Sequence, residues 1–295
     1  MSAAVDVALP FFGDVDQMKQ AVSSVLRQNY HNWRLLVVDD GYPDPEPARW
    51  FADLGDRRVI YLRNGSNLGA NGNYRKCLTL ATAPHLVVMG ADDVMLPEHL
   101  EVVMDVFSSN PQAAVVQTGV QVIDEHGDVR HPLGDRMKVV YGPSRRGRTP
   151  LTGEDMAVSL LRGNWTYFPS MGWRTNVIRS IGFREDLDVV QDLALLLDVA
   201  TAGNTLVFDP RLTFQYRRHS ESDSSMRALD GRRFDEEREF FGQEARRFQQ
   251  LGWRRAARAA RWHISSRLNA LSLLPRAART RGWNGMARLG RHVVG

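Results

Sequence analysis

Four short apolar runs without polar alternation, at residues 5–11, 35–38, 59–62 and 86–89, constrain this chain more than any other feature. Successive strand residues point to opposite faces, so a run that is apolar throughout is covered on both. Helical spacing lies between the runs. Val15, Met18, Val22, Val25 and Leu26 share one face of a helix over 15–27, and shorter helices are expected at 48–54 and 72–83. Pro97 opens a further helix to about residue 108, and residues 114–123 read as strand. This order predicts an α/β fold, a Rossmann-like, mostly parallel sheet flanked by helices. Ligands of such sheets bind beyond the carboxyl ends of the strands. The residues there are Pro10-Phe11-Phe12, Asp39-Asp40-Gly41, Arg63-Asn64 and Gly90-Ala91-Asp92-Asp93.

Composition narrows the classes. A chain of 295 residues has room for one large domain or two small ones. Its one cysteine, Cys77, excludes a disulfide framework and a thiolate metal cluster. No apolar run has the roughly 18–20 residues of a membrane span. The first residues lack the layout of a secretory signal, so a cytoplasmic setting is expected, with peripheral contact at the inner face of the plasma membrane as an option. The formal charge of +4 hides a split: residues 245–295 hold twelve arginines and no acid, leaving residues 1–244 at −8. A basic tail on an acidic body meets an anionic membrane, nucleic acid or the body itself. Nucleic acid is the least fitting, since no recognition module accompanies the arginines.

Each strand end admits a structural and a chemical reading. Asp-Gly after a strand is a turn signal. An ionised carboxylate such as Asp39 also accepts hydrogen bonds only, which suits the ring N–H of uracil, thymine or guanine. Asp92 and Asp93 lie too far before Pro97 to cap its helix, and two adjacent carboxylates repel each other unless a cation compensates. Mg²⁺ or Mn²⁺ shared with substrate phosphates is one solution. Neither a dinucleotide fingerprint nor a Walker loop follows the first strand, so phosphates fall to metal and side chains such as Arg63, Arg75 and Lys76.

Residues 124–150 mix Gly, Pro and charge, and a flexible loop is expected there. Helices are expected at 151–161 and 190–200, strands at 205–208 and 212–216, and helices alone from about 229. Trp165, Tyr167 and Trp173 suit either sugar stacking or a core. Trp253, Ala257, Ala260, Ile264, Leu268 and Leu271 form an apolar stripe beside Arg254, Arg258 and Arg261. That stripe can pack on the body or lie on an anionic membrane.

Seven segments in order resemble the family-2 glycosyltransferases of GT-A fold. They are Val7-Ala-Leu-Pro-Phe-Phe, Ser24-Val-Leu-Arg-Gln-Asn-Tyr30, Leu36-Val-Val-Asp-Asp-Gly41, Asn67-Leu-Gly69 with Asn73-Tyr-Arg-Lys-Cys-Leu78, Ala91-Asp-Asp-Val-Met-Leu-Pro97, Gln191-Asp192, and Tyr216-Arg-Arg-His219-Ser-Glu-Ser222. Three positions depart from the pattern: Gly90 replaces the first Asp of the metal motif, Tyr42 replaces a Ser, and Gln191 replaces a Glu. The resemblance implies a GT-A catalytic domain over 1–225, with a nucleotide-sugar half to 123 and an acceptor half after it, followed by a basic helical extension over 226–295. It implies an inverting sugar transfer from a nucleotide-diphosphate donor, UDP or dTDP by the family's habit, to a saccharide or glycolipid of the cell envelope. It places Asp192 as general base, Mn²⁺ or Mg²⁺ on Asp92 and Asp93 with His219 as a further ligand, and the nucleotide near Pro10, Phe11, Asp39, Asp40, Asn67, Arg75, Lys76 and Asp92. Glu185, Asp186 and Asp188 stand as fallback bases. A non-catalytic sugar-nucleotide binder or an enzyme of small natural products are the alternatives. A methyltransferase would need a glycine-rich turn after the first strand, which is absent.

Overall fold

A computed structural model describes residues 4–219, 232–264, 266–268, 270 and 271. The apolar runs became β1 (Val5–Phe11), β2 (Trp33–Asp39), β3 (Val59–Arg63) and β4 (His85–Val88). Helices α1 (Val15–Leu26), α2 (Glu46–Asp53) and α3 (Gly69–Leu80) connect them. The strands β3-β2-β1-β4 pair in parallel. Val5, Val7, Leu9 and Phe11 on one face of β1 and Ala8 on the other are all fully buried, as a two-sided strand requires.

The second half of the sheet is mixed. It continues through β5 (Val94–Met95), helix α4 (His99–Ser109) and β6 (Ala113–Ile123). Helix α5 (Leu133–Tyr141), β7 (Thr149–Thr152), helix α6 (Gly153–Gly163), β8 (Met171–Arg174) and helix α7 (Thr175–Ile181) follow. Helix α8 (Gln191–Thr201) and β9 (Thr205–Arg217) close the sheet, whose order is β3-β2-β1-β4-β8-β6-β9-β5 with β7 on β9. β8 runs antiparallel between β4 and β6.

Two sequence expectations change. Residues 124–150 are not one irregular loop, because they contain α5. Its sole buried residue is Asp135, so a core-based pattern could not reveal the helix. The strands expected at 205–208 and 212–216 are one strand, with pairing to β6 shifting register between Thr118 and Gly119. Pro210 cannot donate to the ladder and suits that irregularity. Opposite it, a Cβ on Gly119 would lie 2.7 Å from the Pro210 carbonyl.

The C-terminal helices α9 (Arg232–Gln250) and α10 (Arg254–Trp262) share a buried cluster with α6 and α8. Phe240, Phe241 and Phe248 of α9 and Ala256 and Ala260 of α10 lie with Leu160 and Leu196. Arg255 donates to Glu154 and Asp155 at the start of α6. The stripe expected in the tail therefore divides. Ala257 and Ala260 pack on the body, whereas Ile264, Leu268 and Leu271 are exposed. Tail residues 272–295, and Ser220, Glu221 and Ser222 of the seventh motif, lie outside the described residues. No helix among the described residues is long and apolar enough to cross a membrane.

Candidate active site

The end of β2 and the start of α3 form one buried polar network. Asp40 Oδ1 accepts from Asn64 Nδ2 and from the Leu68 N–H, both at 2.8 Å. Asn64 also meets Asn73, whose Nδ2 donates to the Val38 carbonyl. Lys76 Nζ donates to Asn64 Oδ1 at 2.6 Å. Asp40 thereby fixes the turn carrying Asn67, whose Oδ1 accepts from the Gly69 N–H. Asn67 and Arg75 are exposed, while Lys76 is half-buried in the network.

Asp39 is fully buried and holds two protein donors, the Tyr42 N–H at 2.7 Å and the Tyr61 hydroxyl. Burial, and after it the bond to Asp39, push the Tyr61 phenol far up, which keeps it a donor. Pro10 is half-buried in the β1–β2 ladder, and Phe11 points into the core with its ring 5.1 Å from that of Tyr42. Phe12 lies just past the end of β1, is 56% exposed and meets the Tyr42 ring edge-on. Phe12 and Tyr42 are thus the open aromatic pair at this strand end. No pattern in the sequence singles out Phe12 over Phe11, because both faces of β1 are buried.

Past β4 the chain turns through Gly90, bringing Asp92, Asp93 and His219 together. His219 Nε2 lies 2.8 Å from Asp92 Oδ2, and both side chains are about one-third exposed, at 34% and 37%. The hydrogen bond to Asp92 raises the His219 pKa above its ordinary value, against burial. Asp93 lies beneath. Its Oδ1 accepts from the Arg217 N–H at 2.9 Å, while its buried Oδ2 has no hydrogen-bond partner among the described residues. Burial, then the charge of Asp92, hold its carboxyl well above the usual range. A Cβ on Gly90 would sit 2.6 Å from Asp93 Oδ2 and 2.7 Å from Asp92 Oδ1, so both carboxylates converge on the space this glycine leaves open. A bare buried carboxylate oxygen beside a second carboxylate is an electrostatic deficit that a cation relieves, and oxygen donors of this kind suit Mg²⁺ or Mn²⁺. The residues present therefore fit a divalent ion, although no group of three or more potential ligands is preassembled among the described residues.

Arg217, which is 4% exposed, binds this turn to the rest of the molecule. Its guanidinium donates to the carbonyls of Asp92, Asp124 and Glu125 and to Gln20 Oε1. The next residue, Arg218, pairs with Asp135 of α5 at 2.8 Å. Both arginines lie inside the Tyr216–His219 motif, but nothing in the motif said what they would hold.

Asp192 occupies the first turn of α8, and its Oδ1 accepts from the Leu193 N–H at 2.7 Å. It lines a cavity of about 340 Å³ with Tyr74, Tyr167, Tyr216 and Arg218. Two of these residues also feel the charges of Asp92 and Asp93. The phenol of Tyr74 is raised by burial and then by the charges of Asp93 and Asp92. That of Tyr216 is pushed up to about 12 by burial first and by Asp93 next. Tyr74 and Tyr216 thus line the cavity of Asp192 and lie within electrostatic reach of Asp92 and Asp93. The segment leading into α8 is held from the C-terminal extension: Glu236 Oε1 accepts from the backbone N–H groups of Asp188, Val189 and Val190 at 3.2, 2.7 and 3.0 Å. Gln191 reaches Asn71 of α3 at 2.6 Å. Of the aromatic residues weighed for stacking, Trp165 and Trp173 are buried, at 4% and 0% exposure. Tyr167 alone of the three lines the Asp192 cavity.

Residues 6–161, just over half of the chain, match glycosyl transferase family 2, and the chain belongs to that family. It is 28% identical over 106 residues to the UDP-Glc:alpha-D-GlcNAc-diphosphoundecaprenol beta-1,3-glucosyltransferase WfgD of Escherichia coli, covering 36% of this chain and 42% of that protein. The chain spans less than half the length of the first curated relatives it matches, at 45% and 44%. The fold is similar to that of S. aureus TarS 1-349 in complex with UDP-GlcNAc (TM-score 0.65, 13% identity, 99% of this chain and 90% of that one). It is also similar to the mannosyltransferase PcManGT from Pyrobaculum calidifontis in complex with GDP-Man and Mn2+ (TM-score 0.63, 15% identity, 99% and 79% covered).

Proposed function

We propose that the protein is an inverting glycosyltransferase that moves a sugar from a nucleotide-diphosphate donor to a hydroxyl of a saccharide or glycolipid acceptor in cell-envelope synthesis. The observation that carries this reading is the placing of Tyr74 and Tyr216 in one cavity with Asp192 while both feel the charge of Asp92 and Asp93. A general base and an acidic pair apt to hold a cation then share two tyrosine neighbours. The activity of WfgD and the ligands in TarS and PcManGT support a nucleotide-sugar donor and a lipid-linked or saccharide acceptor.

Asp92 and Asp93 would hold the ion, with His219 completing the set once its nitrogen leaves Asp92. Bound there, Mg²⁺ or Mn²⁺ would offset the negative charge of the departing diphosphate. Asp192 takes the proton of the attacking hydroxyl. Its place at a helix N-terminus favours the ionised carboxylate needed to begin. Tyr74, Tyr167 and Tyr216 line the acceptor's path and limit water beside the reacting carbon. Asp39 and Asp40 shape the nucleotide end: Asp39 fixes the Tyr42 backbone so that the base, UDP or dTDP for preference, lies against Phe12 and Tyr42. Arg75 and Lys76 supply positive charge on α3, and Pro10, Phe11 and Asn67 complete the surrounding frame. Beyond the packed part of the tail, Leu268 and Leu271 offer a peripheral membrane contact.

The test is Asp192→Asn. Nucleotide release in the presence of acceptor should fall by at least about a thousandfold, within the range of losing a general base. Stabilisation by UDP in a thermal-shift assay should stay unchanged. Turnover within a few-fold of wild type would defeat the assignment. A donor panel read with Mn²⁺ and with chelator identifies the nucleotide, and selective stabilisation by CMP would count against Asp39 and its surroundings as a uracil or thymine site.

A further inference from the structure

The face of α5 formed by Leu133, Met137 and Val140 projects away from the body. These residues are 70%, 36% and 70% exposed. Spacings of four and three residues place them side by side along one helix face. The contrast with α1 is direct, where Met18, Ala21, Val22 and Val25 are all fully buried. Polar bonds hold α5 to the body, together with the Tyr141 ring packed against Gly163 of α6. Asp135 pairs with Arg218 and accepts from the Tyr167 hydroxyl, and Lys138 donates to the Thr166 carbonyl. The apolar face is therefore not needed to seat the helix.

The charge around this face is opposite to that of the body. Residues 129–148 contain six Lys or Arg and one acid; Arg130 pairs with Asp124 and Arg148 with Asp105 and Asp209, while Arg136, Arg145 and Arg146 are exposed. Such a patch fits an anionic surface. A second copy seated on the same face would bring like charges together, which disfavours a symmetric dimer here. An apolar helix face rimmed by cations is the composition of an interfacial helix on an anionic membrane.

The position of α5 gives the contact a use. Arg136, Lys138 and Val139 line a cavity of about 250 Å³ that shares Lys138 and Tyr167 with the cavity holding Asp192. Lys138 and Tyr167 thus border both the cavity beside the exposed helix and the one that holds Asp192. We propose that α5 docks on an anionic lipid bilayer through Leu133, Met137 and Val140, so that a lipid-borne acceptor enters along Tyr167 towards Asp192. The entry part rests on Asp192 acting as base, whereas the docking part does not.

Vesicle sedimentation of the full chain tests the docking without turnover. Wild type should pellet with phosphatidylcholine/phosphatidylglycerol vesicles and not with phosphatidylcholine alone. Leu133→Asp with Val140→Asp should lower the bound fraction about tenfold, as expected for charges placed in an interfacial face, with melting temperature and donor hydrolysis unchanged. The proposal is overturned if wild type stays in the supernatant. It is also overturned if the double variant pellets like wild type, or if only Leu268→Asp with Leu271→Asp releases the protein. A double variant that changes from dimer to monomer by size exclusion, with vesicle binding intact, assigns the face to a second copy instead. Failure of Asp192→Asn to lose turnover would remove the base assignment and leave the docking result standing.

Discussion

Gly90 stands where any side chain would meet two carboxylates. The family pattern carries an acid at this position, yet here a Cβ would lie within 2.7 Å of Asp92 Oδ1 and Asp93 Oδ2. Asp92 is partly exposed and can swing aside, but Asp93 is 1% exposed and cannot. Gly90→Ala should therefore push the pair apart and cost about 1–3 kcal/mol of stability as overpacking. If the pair holds the ion, Mn²⁺ should raise the melting temperature of wild type and have no effect on this variant. Equal Mn²⁺ stabilisation of both proteins would show that the ion sits elsewhere. Asp92 and Asp93 drew attention because a strand end is identifiable from pattern, whereas Asp192 was singled out through the resemblance to the family. The roles of Asp39 and Phe11 could not be read so directly. Whether a carboxylate is open or already bonded depends on partners such as Tyr61, twenty-two residues away, and whether Phe11 or Phe12 is exposed depends on where β1 ends.

At the scale of elements, the N-terminal end of α8 depends on a helix that follows it by some forty residues. Glu236 accepts from three successive N–H groups just before Asp192, and Val190, the residue preceding α8, offers no capping side chain of its own. Charge-assisted bonds to backbone donors are the stronger class. Glu236→Ala should leave those donors without their partner, costing about 1–3 kcal/mol, and lower kcat by about tenfold with KM for the donor unchanged. Glu236→Gln keeps an acceptor oxygen and should recover most of the rate. If the Ala variant loses stability but keeps full kcat, Glu236 supports the fold and not the base. The parallel strands were legible because two-sided burial leaves an unbroken apolar run. The helix α5 was not, since its single buried side chain is charged and its apolar face looks outward. Nor did the sequence announce the link from α9 to α8, because a single glutamate within a charged helix carries no pattern.

For the whole molecule, charge is gathered where distant segments meet. Asp209 in β9 pairs with Arg148 at 2.8 Å and Arg211 at 2.7 Å, and both arginines also reach Asp105 on α4. One network thus ties α4, the segment before β7 and the bulge of β9. Burial alone would raise the Asp209 carboxyl, but the two arginines outweigh it and hold the pKa at about 2. The folded state keeps this group ionised below its unfolded pKa of about 3.9. Its stabilising contribution is therefore complete above that value and is lost as pH falls towards 2. Asp209→Asn removes the charge at every pH. The variant should melt below wild type at neutral pH, and the gap should close as the pH is lowered from about 4 towards 2. Thermal melts across that range measure it directly. A gap that stays constant would mean that Asp209 acts through packing and neutral hydrogen bonds, and that the arginine network contributes no pH-dependent stability to the joined segments.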